Sequence, residues 1–452
     1  MKKIDRQFKD YIESHKLESR KSAYGLSRTI QNSPLAYVVP GGHNNVAIYT
    51  HTLQIPKFFT KNDCRNFEKI SSQFYTIFEK TIRAYWADPA VRELFHFNPR
   101  LEQLVMHPCR YSSLVPMLRV DIFYNEETGA FKVCEFNTDG TSAMYENQMM
   151  DRFLSENNAW NALKPDVDHQ ELMDSWADAF LKDVYEASGN KTPSIAIADY
   201  LENAYLPELY AFEQLFKERG LKAEVVDVRD LVLKDGRLSC AKTGTEYDAL
   251  YRRAVTGDVM NHYDESSALI EAFLSDAVVM VGGFQTQIIH SKAISEALFS
   301  PVLRKYFTEE ENAFLDEALP LSMDFEKEQV EMVLDDPSRW IIKPKEGYGA
   351  KGVYAGVDLS EKNWKKIVND LAGGGYIVQE YIPHYRTVNI DLLAYDEFLD
   401  YSNLTGLYIY NGKFAGVYSR LSDGGIVSTQ YNERTVPTLF LRNEEAGAPT
   451  EG

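Results

Sequence analysis

The spacing of hydrophobic positions changes along this chain, and each change marks a new element. Residues 1–36 read as an amphipathic helical arm that gives way to a loop near Pro34. Between Asn62 and Trp86, apolar side chains recur at Phe67, Ile70, Phe74, Ile77, Phe78, Ile82 and Tyr85, the interval of one helix face. From Leu114 the period falls to two. LVPMLRVDIFY reads as a strand, EETG (Glu126 to Gly129) as a turn, and AFKVCEFN (Ala130 to Asn137) as the returning strand of a hairpin. The alternation puts Arg119 and Asp121 on one face of the first strand, and Glu135 and Asn137 on one face of the second. In-register pairing would bring all four together.

Beyond Pro165 a helix is expected over Asp168 to Ala187, with Gly189 as its stop. Residues 194–300 then alternate between strands (SIAIAD, AEVVDV, YDALYRR, AVVMVGG) and helices (Pro207 to Arg219, Asp264 to Ser275). That alternation implies a parallel, Rossmann-like open sheet. No GxGxxG occurs within this block, so dinucleotide binding by it is not expected. VVPGGHNN (Val38 to Asn45) reads as a tight turn, and Ser291-Lys292 leads into a helix.

The later pattern centres on Trp340 to Ile382. A strand (Trp340 to Ile342) runs through Lys343-Pro344 into a loop with Gly347, Tyr348, Gly349, Lys351 and Gly352. A second strand is expected at Val353 to Val357, a helix at Leu359 to Ala372, then strands at Asp391 to Tyr401 and Leu407 to Tyr418. SRLSDGGIVS (Ser419 to Ser428) reads as a glycine-containing loop, and the polar tail after Leu441 as disordered. The expected domains are 1–165, a helical region and hairpin lobe; 166–300, the Rossmann-like lobe; 301–441, a glycine-loop lobe; and 442–452, the tail.

Composition narrows the function class. With 44% hydrophobic and 25% charged residues, the 452-residue chain is that of a globular protein with ample core. A formal charge of −19 disfavours nucleic acid and anionic membranes as partners. Four scattered cysteines form no CxxC, and nine histidines form no HExxH, so neither a disulfide scaffold nor a zinc hydrolase is expected. Met1 to Arg20 lacks an apolar leader core and no apolar run approaches a bilayer span, so the expected location is cytoplasmic.

Two constellations carry candidate chemistry. A glycine loop brings backbone N–H groups close to an anion, and Lys343 adds a point charge. Its spacing is not that of a Walker A loop, and it returns to a strand instead of opening a helix. A hairpin folding over phosphates remains, against the alternative of an ordinary β-hairpin with a solvated lysine. The second constellation is Arg119-x-Asp121 with Glu135-x-Asn137. Magnesium takes hard oxygen donors from one or two carboxylates plus phosphate. Asp121 and Glu135 would hold one ion, and Glu135 and Asn137 a second. The planar guanidinium of Arg119 suits a phosphate or developing acyl phosphate. A surface ion pair is the competing reading.

KPKEGYGAKGV, followed downstream by IVQEYI, resembles the nucleotide-binding lobe of ATP-grasp ligases. Because RVD…EFN precedes that lobe, the order is similar to the circularly permuted ATP-grasp group, and within it to the synthetase part of glutathionylspermidine synthase. The resemblance covers roughly residues 105 to 430 and implies an α/β fold of α+β lobes: a circularly permuted ATP-grasp with a Rossmann-like pre-ATP-grasp lobe. It assigns the magnesium role to Asp121, Glu135 and Asn137, and ATP phosphate contacts to Lys292 and Lys343. It assigns the base and ribose to Gln379, Glu380, Tyr381 and Ile382. Arg119 and Arg420 are the catalytic candidates, and Ser142 and Arg253 candidate substrate anchors, each with a structural alternative of equal weight. Asp139 and Glu146 are candidates for an amine, or simply helix-start acids. The implied reaction is ATP- and Mg²⁺-dependent ligation of a carboxylate to an amine, through an acyl phosphate, with two ions. An ATP-binding protein without turnover and an ATP-grasp phosphotransferase are the alternatives. The glycine loop GYGAKG departs from the fuller glycine runs of relatives. The residues ahead of the hairpin carry no convincing Cys/His pair, so amidase activity is not expected.

Overall fold

The computed structural model describes residues 1–39, 46–202, 204–345, 352–424 and 433–443. Gly347, Tyr348, Gly349 and Lys351 lie outside the described residues, as do residues 40–45 of the expected turn, 425–428 of the loop after Arg420, and the tail from 444.

The long helix Lys61–Ala87 forms where the apolar stripe is spaced for it, and its start is fixed by a capping box between Thr60 and Asp63. Its stripe covers one face of a central antiparallel sheet. Phe67, Phe74, Ile77, Phe78 and Ile82 pack with Leu118, Val120, Ile122, Phe136, Leu407, Ile409 and Val417. The sheet joins the hairpin Met117–Tyr124 and Phe131–Asn137 to Leu399–Tyr410, Lys413–Ser422 and Arg434–Val436. Since Leu118, Val120 and Ile122 face the helix, Arg119, Asp121 and Phe123 face the opposite side.

Four parallel strands make the Rossmann-like sheet, in the order Val279–Val281, Ala249–Arg252, Ser194–Asp199, Lys222–Asp227. Helices Met173–Ser188 and Leu206–Glu218 pack on it through Trp176, Phe180, Phe212 and Phe216. A third sheet runs Ser322–Asp324, Tyr376–Glu380, Trp340–Pro344, Tyr354–Ala355. Its own small core holds Trp340, Ile342, Trp364, Val368 and Val378. Among the described residues no helix is long and apolar enough to cross a membrane.

Four elements differ from the sequence reading, and Ser419 to Ser422, expected in a loop, belong to a strand. The expected strands Asp391–Tyr401 and Leu407–Tyr418 are instead Leu399–Tyr410 and Lys413–Ser422. Asn411 and Gly412, at φ 46° and 79°, form the two-residue turn between them. Asn-Gly suits such a turn because both central residues need positive φ, so the apolar run breaks there instead of continuing. The helix expected from Asp168 begins at Met173, because Val167–His169 is consumed as a strand against Leu439–Leu441. The strand expected over 353–357 is only Tyr354–Ala355, followed by a 3-10 turn at Gly356–Asp358. There the backbone passes so close to Pro337 that no Cβ would fit at Gly356.

Candidate nucleotide and metal site

The hairpin pairs Arg119 with Asn137 and Asp121 with Glu135. Cys134 has no opposite number, a bulge that resets the register beyond Asp121. The four polar residues therefore converge on one face, as the alternation predicts. Their environments nonetheless differ. Asp121 is fully buried. Arg119 donates to both its oxygens, at 2.8 Å through Nε and 3.1 Å through Nη2. Arg420, from Lys413–Ser422, donates to Oδ2, and Asn137 Nδ2 reaches the same oxygen at 3.2 Å. Burial alone would raise the Asp121 carboxyl, but Arg119 and Arg420 outweigh it and hold the group below the usual carboxylate range. The cluster fits because residue 406, opposite Asp121, is glycine. A Cβ there would stand 2.7 Å from Asp121 Oδ1 and 3.0 Å from Arg119 Cδ.

Glu135 instead looks into an open cleft between the hairpin and the third sheet. Its walls also carry Asn137, His290, Lys292, Lys343 and Gln379. Lys343 Nζ donates to Gln379 Oε1 at 2.7 Å and to the Cys134 carbonyl at 3.3 Å, so the bulge docks the lysine against the hairpin. Gln379 Nε2 is tied to Ser322 Oγ at 2.8 Å. Of the four expected base and ribose residues, only Gln379 lines this cleft. Glu380 lies 3.8 Å from Arg339, and the Tyr381 N–H donates to the Arg339 carbonyl. Tyr381 and Ile382 begin the connector back to the central sheet, where His384 stacks on Phe123 with ring centroids 4.2 Å apart.

Ser142 meets the arginine cluster through its carbonyl, which accepts from Arg119 Nη1 at 3.2 Å and from the Tyr408 hydroxyl. Arg253 is buried at the C-terminal edge of the parallel sheet. It pairs with Glu208 at 3.0 Å and donates to the Tyr251 hydroxyl at 3.1 Å and to the Thr141 carbonyl. Asp139 pairs with Arg252, both buried. The loop 138–142 thus ties the Rossmann-like sheet to the hairpin.

Glu146 lies beyond Arg420. Its carboxylate accepts from the Tyr418 hydroxyl at 3.0 Å and from Thr435, and the same hydroxyl stands 3.1 Å from Glu433. Burial, then the charge of Glu433, pushes the Glu146 carboxyl up to about 7. The sequence reading missed His290, which lines the cleft, and Glu433, which lies 3.7 Å from Arg420 in the buried cluster. Glu433 follows a loop with no motif, and a lone histidine beside Ser-Lys gives no distinguishing signal.

Among the described residues, no three His, Cys, Asp or Glu side chains cluster closely enough to hold an ion by themselves. The donor set still fits magnesium, which needs few protein carboxylates when phosphate oxygens complete its shell. Glu135 and Asn137 present hard oxygens to the cleft. Asp121 would join only by giving up an arginine contact.

The match to known families follows this arrangement. The model of circularly permuted ATP-grasp type 2 proteins matches residues 104–397, more than half of the chain and the whole span from hairpin to connector. The chain belongs to that family. The family supports an ATP-dependent ligase in general terms. A glutathione synthetase-like effector from Globodera pallida shares the fold, with a TM-score of 0.58, 13% identity, and 92% and 96% of the two chains covered. A protein described as a gamma-glutamylcysteine synthetase from Methylobacillus flagellatus gives a TM-score of 0.43 at 10% identity over 81% and 88%, too low to carry an argument. An uncharacterized Mycobacterium leprae protein is 27% identical over 199 residues, 40% of this chain, which spans only 31% of that relative's length.

Proposed function

We propose that this permuted ATP-grasp chain is an ATP- and magnesium-dependent carboxylate–amine ligase that forms an amide bond and releases ADP. The observation that carries the reading is the cleft. Lys292, Lys343, Glu135 and Asn137 line it together, and the hairpin that carries Glu135 and Asn137 also carries Arg119 and Asp121 of the buried cluster with Arg420.

In this reading the two lysines hold phosphate oxygens, and Gln379 fixes the position of Lys343 before nucleotide arrives. Glu135 and Asn137 would hold magnesium, which, when bound, neutralises charge on the phosphates. Arg119 and Arg420 are already fixed in place, so they stabilise the charge that develops as the carboxylate attacks the γ-phosphorus, without reorganising. The acyl phosphate so formed hydrolyses readily, so the attacking amine must displace phosphate in a site that excludes water. Ser142, in the loop 138–142, and Arg253, which donates to that loop at the Thr141 carbonyl, anchor the carboxylate substrate. We assign the lobes as 1–165, 166–300 and 301–441.

The deciding experiment is magnesium-dependent ADP release from ATP against paired carboxylates and amines, with mass spectrometry of the products. ADP formed only with both partners, together with a condensed mass, supports the ligase. ADP with a single phosphorylated substrate overturns it in favour of a phosphotransferase.

A further inference from the structure

Among the described residues His290 is the one imidazole on the wall of this cleft, and neither the magnesium set nor the lysine pair makes use of it. It ends the short helix Gln287–His290, whose two preceding side chains, Ile288 and Ile289, are fully buried in the main core. The segment is held at both ends. Thr138 Oγ1 donates to the Thr286 carbonyl at 2.8 Å, and the Ser291 N–H donates to the Gln287 carbonyl at 2.9 Å. The ring is thereby directed to the cleft by a rigid element, as a binding residue must be.

Four charged groups surround the imidazole: Asp139 and Arg252, which pair with each other, and Glu135 and Lys292 across the cleft wall. Burial, first, and the positive charge of Lys292 and Arg252 hold its pKa below that of a free imidazole, against the pull of the two carboxylates. An imidazole ring offers at least one N–H in either protonation state. Its Nδ1 is shut off from solvent and has no hydrogen-bond partner among the described residues. A buried polar atom without a partner calls for an explanation, and a ligand that completes it is one.

We propose that His290 is a further nucleotide-binding residue, an N–H donor to the polyphosphate chain between Lys292 and Glu135. The role rests on the nucleotide reading of the cleft given above. Phosphate oxygens only accept hydrogen bonds, and two lysines already supply positive charge. A ring N–H on a rigid segment adds direction to the hold on those oxygens. Magnesium is not the group's ligand here, since it selects oxygen over imidazole.

The test is titration calorimetry of the whole chain with ADP and with ATP in magnesium buffer, comparing His290→Leu and His290→Gln with the unaltered protein. His290→Leu is expected to bind both nucleotides about tenfold more weakly. His290→Gln, which keeps an N–H donor, should stay within about threefold, a rescue that a merely structural role would not give. Affinity unchanged in His290→Leu overturns the inference while leaving the nucleotide reading intact. An equal loss in both variants also overturns it. No nucleotide binding by the unaltered protein brings down both. Should His290→Leu not fold, diethylpyrocarbonate labelling of the unaltered protein decides, read by mass spectrometry. Mg-ADP is expected to shield His290 at least fivefold, and equal labelling with and without nucleotide counts against the role.

Discussion

Asp121 and Glu135 face each other across one rung of the hairpin, yet they serve regions built on different principles. Asp121 belongs to a buried cluster on the central sheet in which charges are matched within the fold. Arg119 and Arg420 cover its oxygens, and the chain of contacts continues through Glu433 and Tyr418 to Glu146. Glu135 belongs to the cleft, where the polar groups are half-buried and point at open volume. At Asp121 the carboxylate has its partners within the fold. The second region has its supporting contacts, such as Lys343 to Gln379, but its chemistry needs a partner. A carboxylate in the first should therefore matter to folding, and a carboxylate in the second to turnover.

The largest expected effect comes from Asp121→Ala. Two buried guanidinium groups would lose the anion between them, and breaking a buried pair costs about 3–5 kcal/mol. Urea unfolding should show a lower midpoint at unchanged m-value. A variant that unfolds like the wild type would show that Arg119 and Arg420 find other partners, and the contrast between regions would fail.

Glu135→Gln should do the reverse. The amide fills the same space but binds a cation poorly, so magnesium-dependent ADP release should fall by about a hundredfold or more, consistent with loss of a principal charge-stabilising contact. Its melting temperature should stay within about 1 °C of the wild type, since surface-facing substitutions change stability little. Near-normal ADP release would remove Glu135 from the magnesium set.

Lys343→Ala comes next. A charge-assisted contact to phosphate is worth about 1.5–3 kcal/mol, so ATP affinity should drop by at least tenfold. Unchanged affinity would make Lys343 a structural lysine that only joins Gln379 to the hairpin.

The same contrast explains what could be read in the amino acids alone. The hairpin and the helix of residues 61–87 were legible because each has one clear period, two or 3.6, and local spacing decides which side chains share a face. The convergence of Arg119, Asp121, Glu135 and Asn137 follows from that alternation and from the short turn. Arg420 is different: it meets Asp121 across 299 positions, through a sheet neighbour that only tertiary pairing reveals. Its own strand was misplaced because an apolar run, LTGLYIYNGKFAGVYS, masks the Asn-Gly turn inside it. Glu433 and His290 carry no local pattern at all. The glycine loop, legible as a motif, lies largely outside the described residues.

The last prediction extends the comparison to the far end of the buried cluster. Arg420 is shared with Asp121, so Glu146 and Glu433 together hold more negative charge than it can match, and the Glu146 carboxyl is pushed up to about 7 by burial and by Glu433. A carboxyl whose folded pKa is raised binds its proton more tightly folded than unfolded. Its contribution to stability is therefore full below the unfolded value near 4.5 and is lost as pH rises towards 7. Glu146→Gln removes that titration while keeping the shape and a hydrogen-bonding group. The variant should match the wild type at pH 5 and exceed it at pH 8, by at most about 3 kcal/mol and a few degrees in melting temperature. A difference that does not grow with pH would mean that Glu146 stays ionised in the fold. The cluster would then neutralise Glu146 as fully as it does Asp121, and the buried region would be uniform from one end to the other.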